Sequence, residues 1–244
     1  MVSSIYKKTF SVLMKRPFRL WGISLLAEFL CLVAYAGFIG VPAAAFCAAL
    51  LLSASMSMIF LNSYRTGLEP KTSYLFASFK KDRILRVLGG MAWMQLWIFL
   101  WSLIPIVGIV FGIIRMYEYR FVPYILMTRD DVKPTDAIKI SKQETMGYKG
   151  KMFGADILLG AVYLGAFLVF TLLGEIPYLG VLFRILWVLI AIAYGLLAPL
   201  FSGIMHAAFY VEIQNRRAAG SWHPAAPARP DWPTPPVQPV QPSA

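Results

Sequence analysis

Acidic residues are scarce in this chain of 244 residues: 12 Asp and Glu stand against 23 Lys and Arg, for a formal net charge of +11. Histidine and cysteine are scarcer still, at two each. These shortages narrow the chemistry. Acid–base catalysis has few carriers, since one histidine, His223, falls in a proline-rich end and only His206 is left. Cys31 and Cys47 have no His or Cys neighbours and so make no metal site. Both lie inside apolar blocks and read as small hydrophobes. The sequence also lacks a GxxxxGK[ST] nucleotide loop, an HExxH zinc motif and a GxSxG nucleophile turn. No cofactor, no metal and no catalytic residue is expected, and the chain reads as a protein that is not an enzyme.

Charge of either sign is low overall, at 14%, while 59% of residues are hydrophobic and the mean hydropathy is +0.65. Soluble domains carry about 25% charged residues. The apolar excess comes in blocks of roughly 20 residues, the length that spans a hydrocarbon core of about 30 Å. The fold class expected is therefore all-α: a polytopic membrane helix bundle of about six transmembrane helices, preceded by an N-terminal amphipathic interfacial helix.

Three regions follow. Residues 1–17 carry Val2, Tyr6, Phe10 and Leu13 at helical spacing with Lys7, Lys8 and Lys15 beside them, which predicts a helix lying on the membrane surface and ending at Pro17. Residues 18–213 form the membrane domain, with spans at roughly 20–40, 42–64, 86–104, 106–127, 153–173 and 185–210. The first is too long for a signal-peptide core and is expected to stay uncleaved. The last is long enough to tilt or to break at Pro199. Connectors at 65–85 and 128–152 lie between spans; Tyr74, Leu75, Phe76 and Phe79 in the first form an apolar stripe suited to the membrane surface, and Pro134 opens a helix in the second. Gly147 and Gly150 are expected to end that helix. Gly108-x-x-x-Gly112 would let two helices approach. Residues 214–244 hold eight prolines and read as a disordered tail, with PxxP spacings such as Pro227 to Pro230.

The positive charge segregates. Twenty-two of the 23 Lys and Arg residues fall on the N-terminal segment, the two connectors with the end of the fourth span, and the tail; only Arg184 falls among the three opposite turns. Orientation follows this bias, so both ends are expected in the cytoplasm. The net charge is then explained by topology, and no nucleic-acid partner is expected.

Ionisable groups inside spans are costly and point to function. The candidates are Glu28, Arg115, Glu118, Arg120, Asp156 and His206, all in the cytoplasmic half of their helices. One reading has them line a polar cavity open to the cytoplasm, which requires Glu28 to face inward with a polar partner. The competing reading pairs Arg115 with Glu118 three residues along one helix, lets Arg120 and Asp156 reach the inner interface with their polar ends, and leaves His206 as a hydrogen-bonded core residue.

The segments Tyr6-Lys7-Lys8, Tyr74-Leu75-Phe76 with Phe79, Trp101-Ser102-Leu103-Ile104-Pro105 with Gly108, and Ala137-Ile138, Ser141-Lys142, Met146-Gly147-Tyr148-Lys149 with Phe153 together resemble the integral membrane proteins gathered as domain-of-unknown-function family 975. The resemblance covers roughly residues 5–212. The chain departs from the family at 105–108, where Pro-Ile-Val-Gly stands for a direct Pro-Gly. The resemblance implies a multi-pass protein of the bacterial cytoplasmic membrane and implies no activity.

Three functions compete. The basic inner surface suits a non-enzymatic membrane partner or scaffold that binds the lipid bilayer and anionic lipid headgroups, with a membrane protein as candidate partner. The intramembrane charges and broken helices suit a small-solute transporter or channel. An intramembrane enzyme using Glu28, Glu118 or Asp156 is the third and least supported.

Overall fold

A computed structural model describes residues 1–15, 17–37, 42–67, 71–104, 107–176 and 178–219. Among the described residues the chain is entirely helical, without strands. In order come α1 (Val2–Lys15), α2 (Pro17–Gly37), α3 (Pro42–Thr66), a 3-10 helix (Thr72–Phe79), α4 (Ile84–Ser102), α5 (Val107–Glu118), α6 (Val122–Thr128), α7 (Pro134–Glu144), α8 (Lys149–Leu173) and α9 (Gly180–Ala218). Proline opens α2, α3 and α7, where its missing N–H is not needed. The expected turn at 41 and the proline-rich tail from 220 lie outside the described residues.

Among the described residues four helices are long and apolar enough to cross a membrane: α3, α4, α8 and α9, with 18-residue stretches of mean hydropathy 2.1, 1.4, 2.1 and 2.3. The expected fourth span does not form one helix. It breaks at 119–121 into α5 and α6, and α5 with 12 residues extends only about 18 Å. The sixth, by contrast, runs unbroken through Pro199 for 39 residues.

The bundle has two unlike ends. At the apolar end α4 with α5, and α8 with the first half of α9, turn large side chains outward: Phe99, Ile109, Val162, Leu172, Leu182 and Leu189 are among the many exposed. A soluble monomer rarely exposes so continuous an apolar surface. At the polar end lies the core. Phe121, Ile125 and Leu126 of the turn and α6, Leu200, Ile204 and Phe209 of α9, and Ile59 and Leu61 of α3 are wholly buried.

Close approach within this core relies on two glycines that stand outside any GxxxG spacing. A Cβ on Gly203 would sit 2.3 Å from the Phe60 ring, and one on Gly90 2.5 Å from Leu126. Gly108 has a different role from helix pairing across GxxxG: its Cβ would fall 2.5 Å from the Trp101 carbonyl, so it serves the turn between α4 and α5, while Gly112 meets nothing closer than Ser102 at 3.8 Å. Gly147 ends the surface segment with φ +80°, and Gly150 lies inside α8.

α1 is a helix, but its buried face is rotated from the expected stripe. Ile5 and Thr9 are 3% and 0% exposed, whereas Phe10 is 57% exposed. The physical reason is docking: the Tyr6 ring lies 5.3 Å from Phe201 and its hydroxyl donates to the Ala155 carbonyl at 2.5 Å, which turns Ile5 and Thr9 onto the bundle. In the 3-10 helix, likewise, Leu75 and Ser78 are buried while Tyr74 and Phe76 face out. Ser78 is held by Ser55 of α3, hydroxyl to hydroxyl at 2.8 Å.

Replacing Gly203 by Val should lower stability by about 1–3 kcal/mol through overpacking against Phe60. Thermal unfolding in detergent measures it, and adding Phe60→Ala should return part of the loss; an unshifted single variant would mean that α3 and α9 do not meet there.

Candidate functional site

The site grows from the break between α5 and α6. Non-helical backbone in a buried place leaves peptide groups that need partners. α7 supplies them from Ser141, which is wholly buried. Its hydroxyl accepts from the Phe121 N–H at 3.1 Å and donates to the Glu118 carbonyl at 2.7 Å. The Thr145 hydroxyl reaches the same carbonyl at 3.3 Å. With the break so held, three positions at it point to different neighbours. Glu118 faces α8, Arg120 faces α9, and Phe121 enters the core, its ring 5.2 Å from that of Tyr210.

Two polar networks result. In the first, the Tyr117 hydroxyl donates to Asp156 Oδ2 at 2.7 Å, and His206 Nε2 lies 3.2 Å from the same oxygen. His206 Nδ1 lies 3.0 Å from Arg120 Nη2 and 2.7 Å from the Ser202 carbonyl. With its proton on Nε2 alone the ring donates to Asp156 and accepts from Arg120; protonated on both nitrogens it donates to Asp156 and to the Ser202 carbonyl, so Nδ1 serves only one of Arg120 and Ser202 at a time. The chain Arg120–His206–Asp156–Tyr117 ties the α5–α6 turn, α9, α8 and α5 together.

In the second, both oxygens of Glu118 are taken. Oε1 accepts from Lys149 Nζ at 2.6 Å, and Oε2 pairs with Arg115 three residues back. Arg115 also lies over the Trp101 ring, 4.7 Å from its centroid. The local Arg115–Glu118 pair anticipated from spacing is thus present, with Lys149 added from α8. Lys149 was counted only as a surface charge, and sequence offers no signal for its contact with Glu118.

Glu28 stands apart. It lies on the exposed face of α2 and makes no hydrogen bond or ion pair among the described residues. The idea of six groups lining one cavity therefore fails at this position. A 21-residue helix that packs along one side only has outward positions, and Glu28 occupies one. The other five candidates do come together, as two adjoining networks.

Further functional groups sit where sequence showed only a polar connector. Arg86 of α4 donates to the carbonyls of Leu126 and Arg129, both at 2.8 Å, and to Asp130 at 2.6 Å, so it caps the end of α6. Arg129 pairs with the buried Glu144 at 2.7 Å. No group of three or more His, Cys, Asp or Glu among the described residues could hold a metal ion.

Beside the first network is a cavity of about 610 Å³ between α3, α4, the α5–α6 break and α9. Met56, Met91, Met94 and Met116 line it, together with Arg120 and His206. Its size lies in the range of small-molecule sites, about 300–1,000 Å³.

Ser141→Ala should cost about 1–3 kcal/mol, the penalty of leaving the Phe121 N–H buried without an acceptor. Unfolding in detergent reads the loss, and hydrogen exchange over 119–122 should quicken. Unchanged protection there would remove Ser141 from this role. Glu118→Gln should destabilise by a comparable amount, about 1.5–3 kcal/mol for charge-assisted bonds, and a Lys149→Gln background should remove only the part owed to Lys149, with the Arg115 pair accounting for the rest.

No protein-family model, no curated protein and no solved structure matches this chain.

Proposed function

We propose that the chain is a six-span protein of the bacterial cytoplasmic membrane, with both ends cytoplasmic, that works without chemistry as a lipid-interacting scaffold or membrane partner. The observation that carries this reading is the polar end of the bundle. Lys80, Lys81, Lys142 and Lys151 are exposed there, on the connectors and at the start of α8, beside the ion pairs of Arg83 and Arg86 with Asp130. Asp82, Asp130 and Asp131 are exposed at this end too, but Glu118 and Glu144 are paired inward, and with Lys133 and Lys139 also outside the outward surplus stays cationic. Such a surface attracts anionic headgroups. In this topology α2 and the α5–α6 pair make up the spans beyond the four long helices, and the bacterial membrane is what the motif resemblance to family 975 implies.

A second reading, a small-solute transporter, draws on the Arg120–His206–Asp156–Tyr117 chain, because linked histidine and carboxylate groups recur in proton-coupled carriers. It is the weaker of the two because Asp156, the one carboxylate of that network, is already held by Tyr117 and His206 on Oδ2.

Topology is checked with single cysteines in a Cys31→Ser, Cys47→Ser background. Tyr178→Cys should react with an impermeant maleimide from outside intact cells, and Lys142→Cys only after permeabilisation; the reverse pattern inverts the orientation. For the function, the full-length protein extracted gently and weighed by native mass spectrometry should retain phosphatidylglycerol over phosphatidylcholine. Replacing Lys80, Lys81, Lys142 and Lys151 by Gln should reduce that preference severalfold. Equal retention of both lipids by the unaltered protein would sink the proposal.

A further inference from the structure

We infer that the cavity between α3, α4, the α5–α6 break and α9 binds a single-chain anionic amphiphile, with Arg120 holding its head and the methionine wall its chain. This rests on the membrane reading above and adds a site to it.

The argument starts from the charge. Arg120 lines the cavity and has no carboxylate within ion-pair distance among the described residues; its one described side-chain partner is the imidazole of His206. A guanidinium carries five N–H donors, so one bond to His206 leaves most of them free. Asp156 balances the charge only from the far side of the imidazole, where Tyr117 and His206 occupy its Oδ2. An apolar cavity with an incompletely paired cation favours an anion.

Two further polar groups point the same way. Gln95 of α4 and Ser53 of α3 line the cavity, and neither side chain has a hydrogen-bond partner among the described residues. Gln95 lies about 16 Å along the α4 axis from Ile84, deep in an apolar helix. An amide there is expensive unless something bonds to it. A headgroup with several acceptor oxygens would use the Arg120, Gln95 and Ser53 donors together.

The rest of the wall selects the tail. Met56, Met91, Met94 and Met116 are flexible and polarisable, and adapt to a chain without fixed shape. About 610 Å³ suits one acyl chain with a small head. A carboxylate and a phosphate head share the chemistry that Arg120 recognises, so fatty acid and lysophosphatidate are the two sources to separate.

The test uses the full-length protein in phosphatidylcholine nanodiscs and a palmitate bearing a diazirine on its chain. Photolysis should place adducts on the α3 and α4 peptides that carry Met56, Met91 and Met94. Unlabelled palmitate or palmitoyl lysophosphatidate should compete, and whichever competes at lower concentration names the head; hexadecanol should not. Arg120→Gln should weaken labelling about tenfold or more, the worth of a charge-assisted bond. Because Arg120 also holds His206, a second variant, Met94→Trp, fills the cavity and leaves Arg120 intact; it should abolish labelling while thermal unfolding shows a folded protein. Equal competition by hexadecanol, or adducts confined to the outer faces of α8 and α9, would overturn the inference. Arg120→Gln should leave phosphatidylglycerol retention unchanged, so loss of this site and loss of the scaffold reading give different results.

Discussion

Between Glu118 and Val122 the chain leaves the helix inside the protein, and the peptide groups freed there have no water to turn to. One hydroxyl, that of Ser141, takes both: it accepts from Phe121 and donates to the carbonyl of Glu118. Much of the polar end depends on this constraint. α7 is pinned under the bundle because its Ser141, with Thr145 just beyond its end, links it to the break. The change of direction also separates neighbouring side chains that one continuous helix would have kept on fixed faces. Glu118 reaches Lys149 of α8, and Arg120 reaches His206 of α9. Apolar membrane-type helices give little directional information to one another, so hydrogen bonds of this kind and close backbone approach must supply it. Gly203 against Phe60 and Gly90 against Leu126 provide the close approach.

The polar end is also where charge is made tolerable. Arg86 spends its guanidinium on the carbonyls that end α6, and Arg129 on the buried Glu144. Such pairs add little net stability where they are solvated, but each left single in a buried place would be costly. Their value is positional. They fix α4, α6 and α7 in one register, and they leave the surplus lysines outside. The break has a second consequence: α5 ends short of α9, and the space beside it is the methionine-lined cavity with Arg120 on its wall. Interruption, charge placement and cavity are thus one feature of the fold.

Much of this was legible along the chain. The helical segments follow from apolar blocks bounded by Pro17, Pro42 and Pro134, since proline fits a helix start and little else in a helix. The pairing of Arg115 with Glu118 follows from their spacing. Other features were hidden by the same periodicity that revealed the helices. In 106–127 the charges Arg115, Glu118 and Arg120 interrupt the apolar run and mark the helix as irregular; nothing local announces that a serine twenty residues after Phe121 will hold the break. The pattern of α1 predicts a stripe through Phe10, because an amphipathic pattern shows that a helix has an apolar side and cannot tell lipid from protein as its cover. Glu28 was grouped with the other charges by depth alone, and depth does not specify which way a side chain faces.

By itself the sequence determined that the chain is helical and strongly apolar, that its basic residues gather in a few segments, and where most helices start. These are one-dimensional properties: block length, proline position and charge bias act on the chain before anything packs. Only the tertiary structure decided which ionisable groups meet, where the fourth apolar block breaks, and that a cavity opens beside Arg120. Those depend on residues far apart in sequence, such as Arg120 with His206 and Glu118 with Lys149. Their contacts are set by the directions in which helices cross, which no periodicity along a single strand of sequence encodes.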